Sequence, residues 1–139
     1  MATGARPKVL IVDDNVDLTE LLVASISRLG RFEVLGAPDG ASGLQCYFDF
    51  RPDCVIIDVM MPELDGYQLI HALRGDPASA ATPLIILSAL AQKNDQRAGF
   101  LSGADRYLVK PVTPQELVAS IQEVLAAGRV VRVGELLDD

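Results

Sequence analysis

Val9-Leu10-Ile11-Val12-Asp13-Asp14-Asn15 is an apolar run that stops abruptly on two carboxylates and an amide. A short, branched run without polar alternation suits a strand buried on both faces, as in parallel sheets. The pattern recurs. Cys54-Val55-Ile56-Ile57 stops on Asp58, Leu84-Ile85-Ile86-Leu87 on Ser88, and Tyr107-Leu108-Val109 on Lys110. Each run ends on a residue capable of phosphate or metal chemistry, and the carboxyl ends of parallel strands are where open α/β sheets place ligands.

Helix-period segments separate these runs. The pattern predicts strands over 8–12, 32–36, 53–58, 84–87 and 106–109, and helices over 16–29, 40–50, 67–73, 92–102 and 114–127. The first helix is expected to bury Leu18, Leu21, Leu22, Ser25 and Leu29 and to stop at Gly30. Arg51-Pro52 breaks the second helix, and Met61-Pro62-Glu63-Leu64-Asp65-Gly66 reads as a loop. Gly75, Asp76 and Pro77 close the third helix, and Gly103 the fourth. Thr113-Pro114-Gln115-Glu116 is a capping box with proline at the first helical position. Leu117, Val118, Ile121, Val124 and Leu125 then form one apolar face, with Gly128 as the expected stop.

The fold class that follows is α/β, a (βα)5 doubly wound parallel sheet in the flavodoxin-like strand order 2-1-3-4-5. Right-handed crossovers put helices on both faces. The expected organisation is an N-terminal tail over 1–7, one domain over 8–127, and a C-terminal tail or start of a linker over 128–139. That last segment reads as a frayed tail, a docking segment or the first turn of a downstream domain.

The chain has 139 residues and half are apolar, enough for one domain with a real core. Its 12 basic and 19 acidic residues give a net charge of −7, which disfavours direct contact with nucleic acid or an acidic membrane. The apolar runs are too short to cross a bilayer and residues 1–7 contain no secretory core, so a cytoplasmic location is expected. Cys46 and Cys54 read as two buried thiols rather than a disulfide or a metal site.

In the order 2-1-3-4-5 the first and third strands are neighbours, so Asp13, Asp14 and Asp58 share one crevice. Three carboxylates this close repel one another, which a divalent cation relieves. Hard oxygen donors suit Mg2+, with Mn2+ as a substitute. Asp58 is the candidate nucleophile, since carboxylates form acyl phosphates. Ser88 can hydrogen-bond a phosphoryl oxygen, and Lys110 can pair with another as a point charge. Lys110-Pro111 is a candidate cis peptide. Taken singly, an Asp at a strand end is a cap, Ser88 means nothing, and Lys110 is a surface charge. Their joint placement on four strand ends carries the reading.

These residues resemble the receiver domain of two-component response regulators, including the chemotaxis type. The resemblance runs from Lys8 to Ala127 and rests on VLIVDDN at 9–15, PDCVIIDVMMPELDGYQL at 52–69, PLIILSA at 83–89 and GADRYLVKP at 103–111. It implies that Asp58 accepts a phosphoryl group from a histidine kinase or phosphotransfer protein. It implies that Asp13, Asp14, Asp58 and the backbone carbonyl of Met60 hold Mg2+, and that Ser88, Ala89 and Lys110 contact the phosphoryl group. Ser88 and Tyr107 would form the switch, Tyr107 moving inward as the Ser88 hydroxyl is pulled toward phosphate. Met60 and Leu90 flank the site, where they are expected to restrict attacking water and lengthen the phosphoryl lifetime.

By the same resemblance, the face built from the fourth helix, fifth strand and fifth helix would be read by a downstream protein partner or an output domain. The protein would be a monomer or weak dimer, and a signalling switch rather than an enzyme, though one that autodephosphorylates. Winged-helix regulators of this family dimerise through charged pairs on that face. Arg106 in place of an acid, Gln115, Ser120 and Gln122 in place of bases, and a final helix without Lys or Arg speak against that dimer here.

The alternative is a receiver excised from a larger regulator or hybrid kinase. A flavodoxin-like electron carrier would need a Ser/Thr/Gly-rich phosphate loop after the first strand and flavin-stacking aromatics, and Asp13-Asp14-Asn15 offers neither. An aspartyl-phosphate phosphohydrolase places its two Asp residues two apart on the first strand, where Asn15 stands instead, and the length leaves no room for a cap domain.

Overall fold

The computed structural model describes residues 5–61 and 66–138, with side chains through Ala127. Five strands alternate with five helices: β1 Lys8–Val12, α1 Val16–Gly30, β2 Glu33–Ala37, α2 Gly40–Phe50, β3 Cys54–Ile57, α3 Gly66–Gly75, β4 Leu84–Ser88, α4 Lys93–Ser102, β5 Arg106–Val109 and α5 Pro114–Asp138. All pairings are parallel and the order is β2-β1-β3-β4-β5, as the sequence predicts.

The three central strands are buried on both sides because Val9–Val12, Cys54–Ile57 and Leu84–Leu87 are apolar at every position, whereas the edge strands β2 and β5 expose Glu33, Leu35 and Arg106. Leu10, Val12, Val55, Ile57, Leu84 and Ile86 meet α2 and α3 through Tyr47, Leu69, Ile70 and Leu73. The alternate residues Val9, Ile11, Cys54, Ile56, Ile85 and Leu87 meet α1 and α5 through Leu22, Ile26, Leu117, Ile121 and Val124. At roughly 1.5–3 kcal/mol for each fully buried aliphatic side chain, these two layers dominate the stability of the fold.

Local chemistry sets the helix starts. Asn15 Oδ1 accepts from Leu18 N–H at 3.0 Å, and Asp39 Oδ1 accepts from Ser42 N–H at 2.8 Å. Thr113 and Glu116 form the expected reciprocal box, each side chain accepting the other's N–H at 3.1 Å. Each cap contributes about 1 kcal/mol.

Three expectations are corrected. The first concerns α1, which buries Thr19, Leu22 and Ile26. Leu21 and Leu29 are instead 62% and 50% exposed. Gly36 decides this, because a Cβ there would lie 2.5 Å from the Thr19 methyl, so the threonine nests where no side chain stands. Its hydroxyl is satisfied by donating to Asn15 O at 2.9 Å. The second concerns β2, which begins one residue later than expected. Phe32 turns into the core, and the ladder opens with Glu33 N–H on Pro7 O.

The third concerns α5, which does not stop at Gly128 but runs on to Asp138. An interior glycine costs only about 1 kcal/mol, and no proline follows to end the helix. Arg129 and Arg132 therefore lie within α5, and the expectation of a helix without basic residues holds only to Ala127. The side chains of that segment, and residues 1–4 and 62–65 of the expected N-terminal tail and loop, lie outside the described residues. Among the described residues no helix is long and apolar enough to cross a membrane. Cys46 and Cys54 are free thiols, Cys46 half-buried and Cys54 buried. Burial pushes the Cys54 thiol far up, so it stays a neutral core residue.

Candidate functional site

The sheet ladder runs one residue beyond the strands and so positions the site. Asp13 N–H bonds Ala37 O, Asp58 N–H bonds Val12 O at 2.9 Å, and Lys110 N–H bonds Ser88 O at 2.8 Å. Val12 pairs with Ile57, so Asp13 and Asp58 emerge side by side. Ser88 pairs with Val109, which brings Lys110 up beside it. The four strand ends chosen from sequence converge at one end of the sheet.

Asp13 and Asp58 are nearly buried, whereas Asp14 is exposed. Each of the three offers a carboxylate oxygen, and these oxygens lie within 4.8 Å of one another. Lys110 Nζ bridges the two buried ones, 2.8 Å from Asp13 Oδ2 and 3.2 Å from Asp58 Oδ2. The remaining oxygens are used locally: Asp13 Oδ1 accepts from Asn15 N–H and Asp58 Oδ1 from Met60 N–H, both at 2.9 Å. One ammonium therefore faces three carboxylates. A hard divalent cation fits that deficit and that donor set, with Asp14 presenting its carboxylate on the open side.

The electrostatics follow from burial. Desolvation raises the Asp58 pKa; the Met60 N–H and Lys110 oppose this, Asp13 adds to it, and the net shift is upward. For Lys110, burial pulls downward, but hydrogen bonding and charge from Asp13 and Asp58 outweigh it, and its pKa rises. The ammonium is thus secured at every physiological pH, while Asp58 is held in a strained charge balance.

Around this centre, Ser88 is fully buried and its Oγ accepts from Leu90 N–H at 3.1 Å. Tyr107 lies inward with its ring buried, and its hydroxyl donates to Leu90 O at 2.8 Å. Met60 is 58% exposed beside the site. The Lys110-Pro111 peptide is cis.

Two residues that sequence reading passed over also shape the site. Gly66 opens α3 directly against the peptide after Asp58, where a Cβ would lie 2.4 Å from Asp58 O. Gly99 seats α4 on Tyr107, where a Cβ would lie 2.7 Å from the ring. Gly66 reads from sequence as the end of a loop, but the close approach it permits does not show there.

The comparisons agree with this geometry. The family model for the response regulator receiver domain matches residues 9–122. PrrA of Mycobacterium tuberculosis, a transcriptional regulatory protein, is 42% identical over 126 residues, covering 90% of this chain and 53% of that one. RpaA of Synechocystis, a DNA-binding dual master transcriptional regulator, is 35% identical over 119 residues, covering 86% and 49%. The chain thus spans about half the length of the curated relatives it matches. Among solved structures, the Vibrio cholerae chemotaxis protein CheY4 superposes with a TM-score of 0.81 at 32% identity, covering 86% of this chain and 99% of that one. With strand order, site geometry and family model in agreement, the chain belongs to the response regulator receiver domain family.

Proposed function

We propose that the chain is a phosphoryl-accepting switch in which Asp58 is the acceptor. The observation that carries this is the meeting of Asp58 with Asp13, Asp14 and Lys110 at one end of the sheet. An Asp58 oxygen attacks the phosphorus of a phosphohistidine on a kinase or phosphotransfer protein. A carboxyl O–P bond forms, the P–N bond breaks, and the imidazole leaves with the electron pair and takes up a proton. Lys110 stands close enough to follow a phosphoryl oxygen as charge moves onto it.

Asp13, Asp14, Asp58 and the Met60 carbonyl would hold Mg2+, or Mn2+, which when bound offsets the negative charge gathered by the carboxylates and the phosphoryl oxygens. Ser88 Oγ and the Ala89 backbone would take further phosphoryl oxygens. Drawing Ser88 toward the phosphoryl group alters its bond to Leu90, which Tyr107 also holds, so the change reaches the face of α4, β5 and α5. A protein partner or output domain reads that face. The relatives named as transcriptional regulators, about twice the matched length, support an output of that kind. The net charge of −7 makes direct nucleic-acid binding by this domain unfavourable, and a cytoplasmic location suits these partners.

Incubation with acetyl phosphate and Mg2+ followed by intact-mass measurement tests the proposal. One added phosphoryl group, absent from Asp58→Asn, is expected; no adduct on the unaltered chain refutes it.

A further inference from the structure

The two edges of the sheet are protected very differently. β5 opens on Arg106, whose Nε lies 3.7 Å from a Glu123 carboxylate oxygen on α5. β2, the other edge, holds no Lys, Pro or bulge between Glu33 and Ala37, and its register with β1 is continuous. Glu33 N–H bonds Pro7 O, and Ala37 O accepts from Asp13 N–H, so residues 33, 35 and 37 turn their backbone groups toward β1. Val34 and Gly36 turn theirs outward, where no further strand stands among the described residues. Gly36 adds no side chain that would block an approaching strand.

The flank of this edge is open and apolar. α1 lies over β1 and β2, and between α1 and β2 runs a groove of about 470 Å3 lined by Val16, Val23, Ala24, Val34, Leu35 and Pro38. Leu35 is 43% exposed. The charges of α1 are sorted along the groove. Asp17 and Glu20 stand near its start, beside the end of β2, where Thr19 meets Gly36. Arg28 and Arg31 stand at its close, beside the start of β2.

We propose that two copies of this chain join antiparallel through β2, about a two-fold axis at Leu35, doubling the five-stranded sheet. Val34 of each copy pairs with Gly36 of the other, so every outward donor meets an outward acceptor. The α1 helices then lie two strand spacings apart, about 9.6 Å, within the range of about 8–10 Å for packed helices. The same axis sets Asp17 and Glu20 of each copy against Arg28 and Arg31 of the other. This opposition of acidic and basic ends is why a second copy fits the edge. The net charge of −7 on each copy works against association and keeps the dimer weak. The interface stands on β2 and α1 alone, whether or not Asp58 accepts phosphate.

Sedimentation equilibrium on the full chain, from micromolar to millimolar protein, tests this. The average mass should climb from one chain toward two; a single-chain mass throughout overturns the proposal. Leu35→Lys opposes two ammonium groups at the axis and should weaken association about tenfold or more, with the melt unchanged because Leu35 is exposed. Leu101→Lys, on the exposed side of α4, should leave association within twofold. Association undiminished by Leu35→Lys, or weakened as much by Leu101→Lys, overturns the β2 interface.

Two further readouts hold even where Leu35→Lys folds poorly. Glu20 and Arg28 are both exposed. Arg28→Glu should weaken association and adding Glu20→Arg should restore it; a double variant no stronger than Arg28→Glu counts against the proposal. Amide exchange followed against concentration locates the contact. Val34 and Gly36 N–H should slow about tenfold as the dimer forms, while Leu35 N–H, already turned to β1, keeps its rate. Unchanged exchange at Val34 and Gly36 in dimeric protein places the contact elsewhere and overturns the proposal.

Discussion

A single methyl group at Gly66 should disable the site without touching any of its charged residues. In Gly66→Ala the new Cβ would lie 2.4 Å from Asp58 O, 2.5 Å from Val59 Cα and 2.9 Å from Asp58 C. Ordinary contact begins near 3.4 Å, so α3 and the Asp58–Val59 peptide must separate by about 1 Å. All three atoms are backbone, and Val59 is buried, so no side-chain rotation offers relief. Overpacking of this kind costs about 1–3 kcal/mol, which lowers Tm by roughly 5 °C in a domain of this size. The larger effect is on geometry. An Asp58 carboxylate displaced by 1 Å loses its 3.2 Å contact with Lys110 Nζ, and misplacement on that scale costs about 100-fold in rate. The assay is the initial rate of phosphoryl uptake from acetyl phosphate, followed by intact mass, beside a thermal melt. A rate within threefold of the unaltered protein and an unchanged Tm would refute the packing argument.

Other perturbations probe the charge balance and the chemistry. Because burial raises the Asp58 pKa, its contribution is full below the unfolded carboxylate pKa and is lost as pH rises through the folded value. Asp58→Asn should therefore raise Tm at pH 7, and the gain should shrink as the pH falls into the carboxylate range; equal melts at pH 7 would contradict the charge strain. Met60→Asn should speed autodephosphorylation by replacing an exposed apolar group beside the site with one that can orient water, and an unchanged decay rate would show that Met60 does not shield the phosphoryl group. Chelating divalent cations should abolish uptake, Mn2+ should restore it, and uptake persisting in chelator would remove the metal from the account.

Much of this arrangement was legible in the sequence because the three central strands are so uniformly apolar. Once Val9–Val12 and Cys54–Ile57 were strands, their parallel order placed Asp13 beside Asp58. Helix faces were harder. Counting leucines along α1 favoured Leu21 and Leu29, because a threonine looks polar in sequence; nothing there says that Gly36 leaves room for the Thr19 methyl. Contacts across long separations were also hidden. Lys110 reaches Asp13 from 97 residues away, and Arg74 reaches Asp105 across 31. Gly66 reads locally as the end of a loop, and Gly99 carries no signal of its own within the fourth helix. Their use, letting one element approach another closely, exists only when both elements are in place.

The claim that most needs direct proof is the identity of the phosphorylated atom. Protein treated with acetyl phosphate and Mg2+, then reduced with borohydride, converts an aspartyl phosphate to homoserine, which peptide mass spectrometry locates. Homoserine at position 58 and nowhere else is the predicted result. Homoserine at Asp13 or Asp14, or phosphate retained on a hydroxyl such as Ser88, would contradict the account.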